Sequence, residues 1–190
     1  MAPRCQILPL HPHEARDAPA ALLMVAMLHS PARPKLVAPL TALLDDWRGG
    51  EGCIVHIRRF PHKPHSSCRT GHPSAEAMPC AVPLPGERVV TSHTDDAFVD
   101  TDLEAWLRRH GISHLVLAGA TTLGTITTLA RHAQCLGFSV TVLADACADD
   151  EMTDRDGFHW KADILHELGL TLLERQGVDI LSVEELCRDC

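Results

Sequence analysis

An α/β protein built on one parallel sheet is the fold class that this sequence predicts, and three observations carry it. Apolar runs of strand length recur along the chain, and they are unbroken where a half-exposed strand would alternate. Segments with apolar residues at helical spacing lie between them. Cap and turn residues mark the boundaries, so strands and helices take turns along the chain, the pattern of βαβ units.

The first residues, 1–19, read as a loose arm, and residues 20–190 as a single domain. "ALLMVAM" (21–27) is the first strand. "KLVAPLTALLDDW" follows as a helix, with Leu36, Leu40, Leu43 and Leu44 at helical spacing and Gly49-Gly50 ending it. "CIVHIRR" is the second strand. Residues 60–86 form a connection rich in Pro, His and Cys, long for a compact domain and so a candidate functional loop. "ERVVTS" is the third strand. "TDLEAWLRRHG" is a helix capped by Thr101 or Asp100 and closed by Gly111. "HLVLAG" is the fourth strand and "TITTLARHAQCLG" the next helix. "SVTVLAD" is the fifth strand, followed by a long amphipathic helix over "FHWKADILHELGLTLLERQG". "VDIL" is the sixth strand, and Ser182 to Glu185 is a capping box opening a last short helix.

Composition narrows the function classes. The chain has 190 residues and is 45% apolar, enough for one sizeable core. A net charge of −8 with scattered Lys and Arg argues against a nucleic-acid partner. No apolar run approaches the roughly 20 residues of a membrane span, and the first residues carry Pro, His and acids where a signal peptide needs apolar ones. A cytoplasmic location is the expectation. Of the 8 cysteines, Cys53, Cys135 and Cys147 read as buried small hydrophobes, most of the others as reduced thiols, and the terminal Cys187/Cys190 pair as part of a frayed end.

Four stretches together carry a resemblance: "ALLMVAM", "PGERVV…DAFVDTDLEAWLRRHGISHLVLAGATT", "TLARHAQCLGFSVTVLADAC" and "HELG…VDILSVEEL". They resemble the isochorismatase-like cysteine hydrolases, which include nicotinamidases, amidohydrolases and isochorismatases. The resemblance implies a six-stranded parallel sheet of order 3-2-1-4-5-6 with helices on both faces. It also implies a crevice where strands one and four separate the two directions of winding. In the family an Asp ends strand one, a Lys follows strand three and a Cys opens the helix after strand four. Asp and Lys activate the thiol, and backbone amides receive the oxyanion.

Aligned by the resemblance, all three positions differ here. The Asp position is Ala26, the Lys position Ser92 and the Cys position Thr125. Isochorismatases proper also lack the thiol, carrying Gly there, but they keep the Asp and the Lys. A secondary alcohol without a base is a poor nucleophile at neutral pH, so Thr125 reads first as a helix-opening or ligand-binding residue. His29, beyond Ala26, and His93, beside Ser92, are the candidate proton carriers, with Asp95 and Asp96 able to orient a histidine or a ligand. His93 can enter the crevice only where the strand turns or bulges.

Substrate contacts are expected from Ala26, Arg58, Arg59, Ala120, Thr121 and Gly124. The arginines would hold a carboxylate, and the amides of the glycine-rich turn an anion. The resemblance adds a cis peptide at Ala120-Thr121. His62, His65, Cys68 and His72 have spacing open to a metal, but the family's metal-binding Asp falls on Phe60, and neither metal nor cofactor is expected.

Two functions fit these residues. One is a small-molecule enzyme with acid/base or orientation-driven chemistry, a hydrolase, lyase or cyclase acting on a small polar or anionic metabolite. The other is a binding, assembly or regulatory protein that has lost catalysis. Homo-oligomers are expected in either case, with Trp106 and Trp160 as candidate contacts.

Overall fold

The computed structural model describes residues 19–27, 33–50, 52–60 and 77–188. Its elements are β1 (Ala20–Val25), α1 (Val37–Gly49), β2 (Cys53–Arg59), β3 (Arg88–Ser92), α2 (Leu103–Arg109), β4 (His114–Ala120) and α3 (Thr127–Cys135). They continue with β5 (Ser139–Ala148), β6 (Met152–Thr153), β7 (His159–Trp160), α4 (Ala162–Glu174), β8 (Asp179–Leu181) and α5 (Val183–Arg188). The arm over 1–18, His29 and the His62/His65/Cys68/His72 stretch lie outside the described residues.

One six-stranded sheet, ordered β3-β2-β1-β4-β5-β8, organises the chain, and all its pairings are parallel. This is the order expected from the resemblance, with β8 as the sixth strand because a short β6–β7 hairpin intervenes. The unbroken apolar strands are explained by a core on each face. Leu23, Val25, Leu115 and Leu117 pack under α2, α3 and α4, while Leu22, Met24, Val116 and Ala118 pack under α1 and α5. Leu36, Leu40, Leu43 and Leu44 are buried along α1 and the short 3₁₀ turn preceding it.

Local chemistry sets the boundaries. The N-cap of α2 is Asp102, without a side-chain capping bond, rather than Thr101 or Asp100; Thr101, one residue earlier, accepts the Leu103 amide on its Oγ1 at 3.2 Å. The capping box forms: Ser182 N–H donates to Glu185 Oε2 (2.7 Å) and the Glu185 amide donates back to Ser182 Oγ (3.2 Å).

Three boundaries differ most from expectation. The long helix opens at Ala162 rather than Phe158, because Asp154 draws the preceding chain into a hairpin. Its Oδ1 accepts the amides of Asp156 and Phe158, and its Oδ2 accepts Trp160 Nε1, all at 3.0 Å. The helix after β4 opens with a π-turn over 122–126. β5 runs on to Ala148 through an irregular register against β4, so Cys147 lies inside the strand. Cys147 is buried as expected, but Cys53 is half-buried and Cys135 exposed.

Candidate functional site

Where the connections from two neighbouring parallel strands leave in opposite directions, a crevice opens at the carboxyl ends of the strands. In this sheet the place is between β1 and β4. Gly119 lets the two strand ends meet there. Its φ is +149°, and a Cβ on it would lie 2.0 Å from the Val25 carbonyl oxygen. β1 ends at Val25, and Ala26 after it holds a left-handed φ of +48° and donates its amide to the Ile57 carbonyl at 2.9 Å. The peptide bond between Ala120 and Thr121 is cis.

The turn after it is held from several directions. Thr121 Oγ1 lies 3.4 Å from the Thr125 amide. Gly124 leaves room for that hydroxyl, since an added Cβ would stand 2.5 Å from it. The Leu123 amide donates to Asp149 Oδ2 at 2.6 Å, and Thr122 Oγ1 is hydrogen-bonded to His166 Nδ1 on α4 at 2.8 Å. Burial pushes the Asp149 carboxyl above its ordinary range, although the amides of Leu123 and Asp150 bond to it. The Leu123 amide is therefore committed within the turn.

Thr125, buried at the centre of this turn, donates its hydroxyl to Asp95 Oδ1 at 3.3 Å. The same carboxylate oxygen lies 2.7 Å from Arg59 Nε. Three elements thus converge: the end of β2, the loop between β3 and α2, and the opening of α3.

That loop owes its shape to Ser92 and Thr94. Ser92 Oγ donates to the Thr94 carbonyl (3.0 Å) and accepts the Thr94 amide (3.3 Å), and Thr94 Oγ1 bonds to the Asp96 carbonyl (2.7 Å). Ser92 is buried and its hydroxyl serves this turn. Asp96 accepts the Phe98 amide (3.0 Å) and pairs with His132 Nδ1 (2.5 Å). His93 turns its Nδ1 to the Phe60 carbonyl at 2.8 Å.

Arg58 and Arg59 face opposite sides of the sheet, as adjacent strand residues must. Arg59 follows Ile57 on the α2–α3 side, whereas Arg58 shares the other side with His56 and adjoins Met24 and Met27. Of the cysteines, Cys147 is buried, and burial pushes its thiol up to about 12, so it is an inert core group. Sequence reasoning placed Asp95 on the correct loop and expected it to orient a histidine or a ligand; Asp96 meets a histidine, whereas Asp95 meets Thr125 and Arg59. The "SHTDD" run between a strand and a helix cap was the available signal.

The isochorismatase domain model matches residues 20–184, and the chain belongs to that family. YrdC of Bacillus subtilis (strain 168), an uncharacterized isochorismatase family protein, is 26% identical over 79% of this chain and 80% of its own. Among solved structures, an isochorismatase-family protein from Chromobacterium violaceum ATCC 12472 superposes with a TM-score of 0.81 at 31% identity, covering 90% of this chain and 92% of that one. An isochorismatase-type protein from Oleispira antarctica gives 0.80 at 26%, covering 90% and 96%.

Proposed function

We propose that this chain is a small-molecule enzyme on the isochorismatase scaffold that works without a thiolate. Its substrate is a small polar or anionic cytoplasmic metabolite bound at the carboxyl ends of β1 and β4. Its chemistry is proton transfer and orientation, of the hydrolase or lyase kind. The observation that supports this reading is the convergence on Thr125: a buried hydroxyl at the switch point bonded to a carboxylate that is itself ion-paired. A merely structural threonine in a helix opening needs no such partner.

The thiol route has no group to carry it at the three positions the resemblance assigns, Ala26, Ser92 and Thr125. The methyl of Ala26 moves no proton, and Ser92 is engaged in its own turn. A catalytically silent binding protein is the second reading, favoured by the Leu123 amide, which is bonded to Asp149 and withdrawn from any bound anion. Self-association goes with either reading, and the exposed Ile164, Leu168 and Leu172, four apart on α4, support it.

The test is a turnover screen of the purified protein against lactones, activated ethers and small esters, followed by Thr125→Ala. The expected outcome is turnover of at least one compound class, reduced in the variant. No turnover across the panel, together with stabilisation by a small carboxylate in thermal shift, would select the binding protein.

A further inference from the structure

We propose that Asp95 is the proton-transfer group of this crevice, a general base for water that Arg59 and Thr125 hold in place. The inference rests on the enzymatic reading above and gives its substrate class: a small ester or lactone.

The geometry carries it. Both partners of the carboxylate meet the same oxygen: Arg59 Nε lies 2.7 Å from Oδ1 and the Thr125 hydroxyl donates to Oδ1 at 3.3 Å. Oδ2 has no protein hydrogen bond among the described residues, and the Asp95 side chain is 52% exposed. Among the described residues, Oδ1 therefore has both partners, the Arg59 ion pair and the Thr125 hydroxyl, and Oδ2 has none. A carboxylate whose only task was to brace the loop would be expected to use both oxygens, as neighbouring Asp96 does with Phe98 N and His132 Nδ1.

The positions of the partners fit the same role. Thr125 is buried, so its hydroxyl is shielded while the carboxylate it fixes is open to water. The polar arrangement therefore favours Asp95 as the group that meets the reacting water and Thr125 as a positioning residue. Arg59 comes from the end of β2, which pairs with β1 on one side and β3 on the other, so its backbone is among the well-anchored parts of the crevice.

The step balances without a further reactant. Asp95 takes a proton from water as the water oxygen bonds to the ester or lactone carbonyl, and the carbonyl π pair moves to oxygen. The pair returns, the carbon–oxygen bond to the leaving group breaks, and the departing alkoxide takes the proton from Asp95. Water and ester become acid and alcohol, and the carboxylate is regenerated.

Dihydrocoumarin hydrolysis by the purified full chain tests this. Asp95→Ala is expected to lose about 100-fold or more in kcat with KM within a few-fold, the size of a general-base contribution. Formate is expected to restore part of the loss in Asp95→Ala and to leave wild type unchanged, which a bracing role would not produce. Thr125→Ser is expected to stay near wild type, and Thr125→Val to lose about tenfold in kcat, the size expected for one lost hydrogen bond. An active wild type with an equally active Asp95→Ala, or a loss that formate does not touch, would overturn the assignment and leave the enzymatic reading standing. A wild type inert towards this lactone and towards the whole ester panel would overturn that reading itself.

Discussion

Gly119 shows how little freedom the crevice leaves its backbone. The strands β1 and β4 approach so closely there that a methyl group would overlap the Val25 carbonyl oxygen, and the φ of +149° is one that side-chain-bearing residues rarely hold. Gly119→Ala is therefore expected to destabilise the fold by about 3 kcal/mol or more, combining overlap with backbone strain. Chemical denaturation of the variant reads this directly, and a midpoint within error of wild type would mean that the strand ends can part. Gly124 makes the same point more mildly, because its missing Cβ leaves space for the Thr121 hydroxyl that faces the Thr125 amide. Both glycines lie in "GATTLGT", a stretch whose small residues were legible as a tight turn. The need for glycine at 119 came from the neighbouring strand, which periodicity cannot reveal.

The turn between β4 and α3 is anchored by Asp149, whose Oδ2 accepts the Leu123 amide. Asp149→Ala leaves that amide without its acceptor and is expected to cost about 1 to 3 kcal/mol. Asp149→Asn keeps an acceptor without a charge and is expected to match or exceed wild-type stability at neutral pH. The pH dependence follows from the raised carboxyl. Between its ordinary 3.8 and the higher value in the fold, the native state binds more protons than the unfolded chain. Stability from this group therefore falls as pH rises through that window and is level above it. Thermal melts from pH 3.5 to 7 check it, and a wild-type-minus-Asn difference that does not change across the acid range would refute the account.

Elements of this kind divide what could be read in advance from what could not. The six sheet strands and the Ser182–Glu185 box were visible as apolar runs and local cap chemistry. The hairpin was not, because "FHWKAD" continues a helical pattern, and only the side-chain bonds of Asp154 show that the chain turns before Ala162. Asp95 was missed as the partner of Thr125 for a related reason. The contact joins two loops 30 residues apart, and loop-to-loop distances leave no periodic trace.

Across the whole molecule, acid sensitivity and the proposed chemistry lie at different places. Glu87, in the loop entering β3, accepts Arg48 Nε (2.7 Å), the Leu84 amide (2.8 Å) and His56 Nε2 (2.7 Å). Burial alone would raise its carboxyl, but these donors hold it at about 2. His56, buried in β2, is held below 6.5 chiefly by burial, with its bond to Glu87 opposing. Both shifts mean that the unfolded chain binds more protons, so stability falls as pH drops below 6.5 and again from 4.5 towards 2. The depressed Glu87 corresponds to about 3 kcal/mol at neutral pH. The cluster sits around the start of β3, while Ser92 at the other end of that strand leads into the Asp95 loop. Glu87→Gln is accordingly expected to lower stability at pH 7 by about 2 to 3 kcal/mol, to flatten the loss between pH 4.5 and 2, and to leave lactone hydrolysis at 25 °C unchanged. Paired denaturation and activity measurements decide it. A variant that keeps its stability but loses turnover would mean that the two ends of the sheet are coupled, and that the β3 loop transmits more than position to Asp95.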